Sequence, residues 1–420
     1  MGVRHSDVVV IGAGIQGACI AFALAERGIA CTVLEQEAGV MTQASTHNEG
    51  RIHLGLIYPM DPTGRTAPEI LRAGLEFAPI LRRWVGPGLD ALAPSTPLWF
   101  CIERDSLMSV EALEAFYEDL SAQARALLNA PGARLDYMGA RPQTLARRLP
   151  REVTDRWIRS DRFQGVFEVA ERTYPTVQMA PLVRDALQAH PLIDLRCGCK
   201  VREAALTEGG ARLAGDGPDG AFELHARQVA NATWDEIYVL DDMAGLPAPA
   251  PWIFRLKYRV IGRAPERLRA APSTSLVQGP YGDAVIRSDG TLYATWYPHS
   301  IRGWTQGKTV PEDWRAACRA PAAPELADRV ARDVLTEVED WLPGALETEV
   351  LNVDAGVILA HGATDVDDPD SGLHRRTTTG VESLGCWHSV NPGKLTKAPR
   401  HGLEAAEAIA SGLGLAGRAA

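Results

Sequence analysis

The chain has 420 residues, 46% hydrophobic and 23% charged, which suits two domains or one large interleaved unit and excludes disorder, collagen and coiled coil. Forty-three basic against fifty-three acidic side chains leave a net charge of −10, which disfavours a nucleic-acid partner or an anionic membrane surface. Seven irregularly spaced cysteines make no disulfide framework, no Cys/His set has zinc spacing, and no apolar run reaches the length of a transmembrane segment; the expectation is a cytoplasmic protein without metal.

In chain order, Val8-Val9-Val10-Ile11 is a continuous β-branched run, as in a strand covered on both faces, and it feeds directly into Gly12-Ala13-Gly14-Ile15-Gln16-Gly17. The first glycine permits a tight turn, the second lets backbone approach a pyrophosphate, and the third lets the following helix pack on the strand. That helix is predicted from Ile15 to Arg27, with Gly28 as its stop. A second strand, Ala30 to Leu34, ends in Glu35, where a carboxylate accepts from adenosine ribose hydroxyls; an acid there argues against a 2′-phosphate. Strand, glycine turn, helix, strand and acid fall in one short unit, the context a dinucleotide site requires.

Next comes Ala44-Ser45-Thr46-His47-Asn48-Glu49-Gly50-Arg51-Ile52-His53-Leu54-Gly55-Leu56-Ile57-Tyr58, small, polar and glycine-interrupted, read as a loop and short helix laid against a ligand. Glu111 to Leu128 has the apolar spacing of a packing helix. Ile193 to Arg202 reads as one strand, with Cys197 and Cys199 on the same face, and Gly209 to Gly220 as a glycine-rich loop. From Phe254 to Tyr297 short alternating runs (Phe254 to Ile261, Thr274 to Val277, Asp283 to Arg287, Thr291 to Tyr297) predict an antiparallel sheet. Near the far end, Gly385-Cys386-Trp387-His388-Ser389-Val390-Asn391-Pro392-Gly393-Lys394-Leu395-Thr396 precedes an Ala-rich amphipathic helix, about Gly402 to Ser411.

The block from Asn48 to Tyr58 resembles the FAD-dependent oxidoreductases of the D-amino-acid oxidase superfamily, most of all its glycerol-3-phosphate and 2-hydroxyglutarate dehydrogenase branches. The Gly393-Lys394-Leu395-Thr396 run is similar to a flavin-contacting loop of the same family, and Leu195 to Val201 and Gln228 to Trp234 to its adenine-side and closing strands. In two places the chain departs from that pattern: Trp234 stands where relatives carry Gly, and Ala355-Gly356-Val357-Ile358 replaces a Gly-Leu-Arg-Pro run. The resemblance implies an α/β protein, a Rossmann-like FAD-binding domain with an interleaved antiparallel-sheet α+β substrate domain. It divides the chain into 1–80, 150–240 and 352–420 for FAD and 81–149 and 241–351 for substrate.

It also implies FAD contacts at Gly12, Gly14, Ile15, Gln16, Gly17, Glu35, Gln36, Ser45, Thr46, Asn48 and Gly50. Further contacts fall at Val201, Ala232, Thr233 and Gly356, and at Gly393, Lys394, Leu395 and Thr396. His53 falls beside the isoalloxazine, where an imidazole serves as base or supports reduced flavin. Arg51, Lys257, Arg259 and Arg287 are candidates to hold an anionic substrate group, and Tyr281, Trp296, Tyr297 and His299 stand at strand ends over the flavin. Trp387 and His388 precede the Gly393 loop. The expected activity is hydride transfer from a small polar substrate to flavin N5, at a C–N bond, with oxygen, a quinone or another acceptor reoxidising the flavin. Oxidation of a C–OH bond, an NAD-dependent dehydrogenase with no role for the Gly393 loop, and a non-enzymatic nucleotide-binding module are the alternatives.

Overall fold

The computed structural model describes residues 4–376 and 378–415. Its first sheet is built outward from strand Arg4–Ile11, in which Val8, Val9 and Val10 are fully buried, as a run apolar on both faces requires. Cys31–Glu35 and then Ile193–Cys197 lie parallel on one side, Gly220–Asn231 and then Trp387–Asn391 parallel on the other. Helix Ile15–Glu26 is apolar all round and therefore sits inside, between this sheet and the carboxy-terminal helix Ala398–Gly412. A side chain at Gly402 would meet Cys19 backbone at 2.7 Å, so the two helices cross at close range only because that position is glycine.

The second sheet is nine-stranded. Trp252–Arg263 and Glu349–His361 pair antiparallel along their whole length, and Thr291–Trp296, Gly282–Ile286 and Ser273–Leu276 continue the sheet. The expected antiparallel sheet is thus present but mixed: Leu98–Glu103, from the segment before it in sequence, adds parallel to Ser273–Leu276 and brings Phe163–Val169 and Ala146–Arg148 with it. Phe163–Val169 lies within the 150–240 segment, and Glu349–His361 crosses position 352. Helix Pro324–Glu339 closes the outer face with Val330, Val334, Leu335 and Val338.

Three local expectations are corrected. The predicted strand Ile193 to Arg202 is two strands, because Gly198 takes a positive φ of 71° and turns the chain, so Cys197 and Cys199 do not share a strand face. The predicted loop Gly209 to Gly220 is mostly the strand Gly210–Gly217, the middle of a meander with Lys200–Thr207 and Gly220–Asn231. Its glycines serve close approach as well as turning: a Cβ at Gly215 would lie 2.0 Å from the Lys200 carbonyl. Between 44 and 58 there is no helix; the chain turns and forms the two-residue strand Arg51–Ile52, paired with Arg172–Thr173.

Candidate functional site

The turn after the first strand is shaped by its glycines. Gly12 has φ 95°, and a Cβ there would lie 2.8 Å from the Ala232 carbonyl, while one at Gly17 would lie 1.9 Å from the Gly12 carbonyl. Gly14 differs: its backbone is extended, and an added Cβ would meet only Ser45 Oγ, at 3.1 Å. The space it leaves belongs to a cavity lined by Gly12, Glu35, Gln36, Val201, Ala232 and Thr233. No side chain caps the helix that starts at Ile15, although Ile15 N–H donates to Ser45 Oγ at 2.9 Å, so the first turn directs N–H groups and positive dipole at this space. Glu35 accepts from Ala13 N–H at 2.6 Å and Glu37 N–H at 2.8 Å; burial raises its proton affinity and these two donors oppose that.

A second cavity shares Gly14, Ala44, Ser45, Ala232, Trp234 and Val357 with the first, making one continuous trough. Trp234 stands at the junction with φ 58°, the left-handed conformation that favours glycine, and its indole N–H donates to the Val357 carbonyl at 2.8 Å. Gly356 and the turn Gly393, Lys394 and Leu395 form the far walls. His53 is buried in the second cavity, its backbone N–H donating to Thr396 Oγ1 at 2.9 Å and its Nδ1 lying 3.4 Å from Glu171 Oε2. Glu171 is wholly buried and also accepts from Leu54 N–H at 2.6 Å. Burial lowers the His53 pKa, and Lys394 lowers it further, against the opposing pull of Glu171, so the ring is neutral.

Charges of both signs line this cavity. Arg51 donates to Ser275 Oγ at 2.9 Å and Asp283 Oδ1 at 2.6 Å, and Ser275 bonds the same carboxylate. Glu49 is held ionised with a pKa of about 2: burial opposes the charge, but Arg51, Lys257 and Lys394 outweigh it. The Lys257 ammonium lies 4.7 Å from the Tyr297 ring centroid. The Tyr297 hydroxyl, which burial alone would push up, is held below its ordinary value by Lys257, Arg255 and Lys394. Burial, with Arg376 nearby, brings Lys394 down to about 8. Together the groups can receive a zwitterion, hold an anion and accept a proton.

The trough gathers most of the expected residues. Gly12, Glu35, Gln36, Val201, Ala232 and Thr233 line its first part; Ile15, Gln16, Ser45, Asn48, Gly356, Gly393, Lys394 and Leu395 its second, with Arg51, His53, Lys257, Tyr281 and Tyr297. Gly17, Thr46, Gly50 and Thr396 stand behind the walls and shape them; a Cβ at Gly50, for one, would lie 2.0 Å from the Tyr174 carbonyl. Arg259 does not line the cavity: its guanidinium forms a two-pronged pair with Asp354 and donates to the Thr46 and Asn48 carbonyls, anchoring the loop above it. Arg287, Trp296, His299, Trp387 and His388 also lie off the trough; His388 sits between Ser383 and Gln228, both at 2.8 Å. The sequence reading passed over Glu49, Tyr58, Glu171, Tyr293, Arg255 and Arg376. Of these, Glu49 and Tyr58 carried a local signal, since both lie inside the Asn48 to Tyr58 block.

The trough fits FAD on its own geometry. Gly14 leaves a cradle that a side chain would fill, and the Gln16 amide is buried with neither nitrogen nor oxygen hydrogen-bonded. Lys394, at the far end, supplies positive charge. A sequence profile described as DAO: FAD dependent oxidoreductase matches residues 7–407. Over 96 residues the chain is 41% identical to the tRNA 5-methylaminomethyl-2-thiouridine biosynthesis bifunctional protein MnmC of Chromohalobacter salexigens; the match takes in 23% of this chain and 12% of that one. In fold it is similar to L-proline dehydrogenase from P. horikoshii (TM-score 0.67, 14% identity, 98% of this chain and 95% of that one). It is comparably similar to the FAD-bound L-alpha-glycerophosphate oxidase of Mycoplasma pneumoniae (TM-score 0.66, 15% identity, 97% of this chain and 95% of that one). The nicotinamide alternative gave the Gly393 loop no role, whereas that loop walls the second cavity. From the profile match across nearly its whole length, the chain belongs to the FAD dependent oxidoreductase family.

Proposed function

We propose that this flavoenzyme oxidises a small amino acid at its C–N bond. The observation that carries the reading is the half-buried Glu49 carboxylate, held ionised in the same cavity as Lys257 and Arg51, a match for the ammonium and carboxylate of a zwitterion. Bound FAD supplies a hydride acceptor at N5 and passes the electrons to oxygen, a quinone or another acceptor. Glu49 orients the ammonium, and Lys257 with the unshared N–H groups of Arg51 holds the carboxylate. Neutral His53 accepts the proton that the ammonium must lose before its C–H bond can break. Glu171 steadies the ring and stabilises the imidazolium so formed. A hydroxy substrate would use the same histidine but bring no cation to Glu49 beyond the side chains already beside it. The names of MnmC, with its methylaminomethyl group, and of proline dehydrogenase support the C–N reading without carrying it.

The division into 1–80, 150–240 and 352–420 for the cofactor and 81–149 and 241–351 for the substrate belongs to the same proposal. So does a cytoplasmic setting, which suits seven cysteines that form no disulfide among the described residues. No helix among those residues is long and apolar enough to cross a membrane. The test is the flavin spectrum under anaerobic conditions with amino acids, secondary amines, 2-hydroxy acids and glycerol phosphate added in turn. Bleaching by an amino acid is the expected result; bleaching by hydroxy compounds alone would overturn it.

A further inference from the structure

The second cavity holds more positive charge than a simple amino acid can meet. Arg51, Arg255, Lys257, Arg376 and Lys394 line it, against the carboxylates of Glu49 and Asp283. Arg51 is tied to Asp283 and Arg255 to Asp365, outside the lining, while Glu49 and the substrate carboxylate answer Lys257. Lys394 stands in the Gly393 loop, the part of the wall that would adjoin bound flavin. Arg376 is left over. The residue is 8% exposed, its Nε is buried without a hydrogen-bond partner, and its terminal nitrogen donates to the neighbouring Arg375 carbonyl at 3.1 Å. No carboxylate among the described residues lies within 4 Å of it. The backbone fixes its place, since Arg376 N–H donates to Thr66 Oγ1 at 3.0 Å. The Tyr58 hydroxyl stands beside it in the same wall.

A guanidinium buried without a counter-charge is costly, and the cost is removed when an oxyanion accepts from its planar fork. We propose that the substrate carries a second oxyanion, a carboxylate or a phosphate-like group, held by Arg376 and the Tyr58 hydroxyl, so that the enzyme acts on an acidic amino acid in preference to a neutral one. The proposal rests on the amino-acid reading for the reacting group, but the second anion site stands on Arg376 alone.

Binding of unreactive acids to the FAD-loaded protein tests it, read as the change in the flavin visible spectrum. Glutarate should bind at least ~10-fold more tightly than butyrate, the ratio expected for one added charge-assisted contact. In Arg376→Gln the two should bind alike, through loss of glutarate affinity. A phosphonate analogue, 4-phosphonobutyrate, binding more tightly than glutarate would support the site and assign it to a phosphate-like group. Equal affinity of glutarate and butyrate in the unaltered protein would overturn the proposal, with no variant needed; so would equal weakening of both by Arg376→Gln. Failure here is separable from failure of the C–N reading. If 2-hydroxyglutarate bleaches the flavin and glutamate does not, C–N oxidation falls while the second oxyanion site stands. If neutral amino acids bleach as fast as acidic ones and the two acids bind alike, the reverse holds.

Discussion

Replacing Gly14 and Gly17 in turn separates a glycine that makes room for the cofactor from one that makes room for the fold. In Gly14→Val the new Cβ meets Ser45 Oγ at 3.1 Å and otherwise enters the trough, and the extended backbone there suits any residue. The cost to the chain is that of a poorer residue capping the helix, about 1 kcal/mol, or roughly 2 °C of melting temperature in a protein of this size. The pyrophosphate seat is nevertheless filled. In Gly17→Ala the new methyl falls 1.9 Å from the Gly12 carbonyl, so helix and strand must separate by more than an ångström, an overpacking that costs about 3 kcal/mol. The assay is flavin absorbance per mole of purified protein, with thermal melts of all three proteins after flavin removal, because bound FAD would itself raise the melting temperature. Gly14→Val should be colourless and melt close to the stripped unaltered protein; Gly17→Ala should be colourless and melt well below it. A Gly14→Val protein with full flavin content would refute the assignment. A stripped Gly14→Val protein melting as low as Gly17→Ala would show flavin lost through unfolding instead.

Three further expectations rest on other parts of the structure. His53→Ala should lower turnover by about 10²-fold or more, and Glu171→Gln, by removing the charge that raises the imidazole's proton affinity, should move the acid limb of the rate profile to lower pH; an unmoved limb would detach Glu171 from the histidine. Burial brings the His388 pKa down to about 4 from an unfolded value of 6.5, so its contribution is intact above pH 6.5 and is lost as pH falls towards 4, by at most about 3 kcal/mol. Urea midpoints at pH 7 and pH 5 should therefore differ less in His388→Gln than in the unaltered protein. Arg259→Ala strands the buried Asp354 carboxylate and frees the Thr46 and Asn48 carbonyls, which should lower stability by about 3 kcal/mol and weaken FAD affinity together. An unchanged melt would refute the anchoring role.

What could be read from the chain was what it encodes locally. The first strand, its glycines, the helix and Glu35 lie within one short stretch, and each residue's reason is its neighbour. Glu171 has no such context: it reaches His53 only because Arg172–Thr173 pairs with Arg51–Ile52, an alignment across more than a hundred residues that no spacing announces. Lys257 and Arg259 both offer a cation to an anionic substrate group and lie on one strand face, yet the 44–50 loop covers the sheet at Arg259 while Lys257 faces the cavity. Gly210 and Gly215 read as loop residues in the sequence because glycine more often marks a turn. In the meander they stand where the neighbouring strands' carbonyls leave no room for a Cβ, at 2.2 and 2.0 Å. Arg376 is one arginine among 38, and what marks it is its place in the cavity wall, buried and with no carboxylate paired to it among the described residues.

The hydrogen bond from His53 N–H to Thr396 Oγ1 joins residues 343 positions apart, and Val229 pairs with Trp387 across a shorter but still long stretch of chain. During synthesis, therefore, the glycine turn and its helix leave the ribosome long before the last wall of their cavity exists. Contacts this distant are made late and slowly, because a long loop must close before any of them can form. The early segments meanwhile hold an apolar helix whose covering partner, Ala398–Gly412, has yet to be made, an exposure that invites aggregation or a chaperone. Tightly held flavin thus becomes a timer: the protein turns yellow only after its two ends have met, and the delay between chain completion and colour measures the slowest step of its assembly.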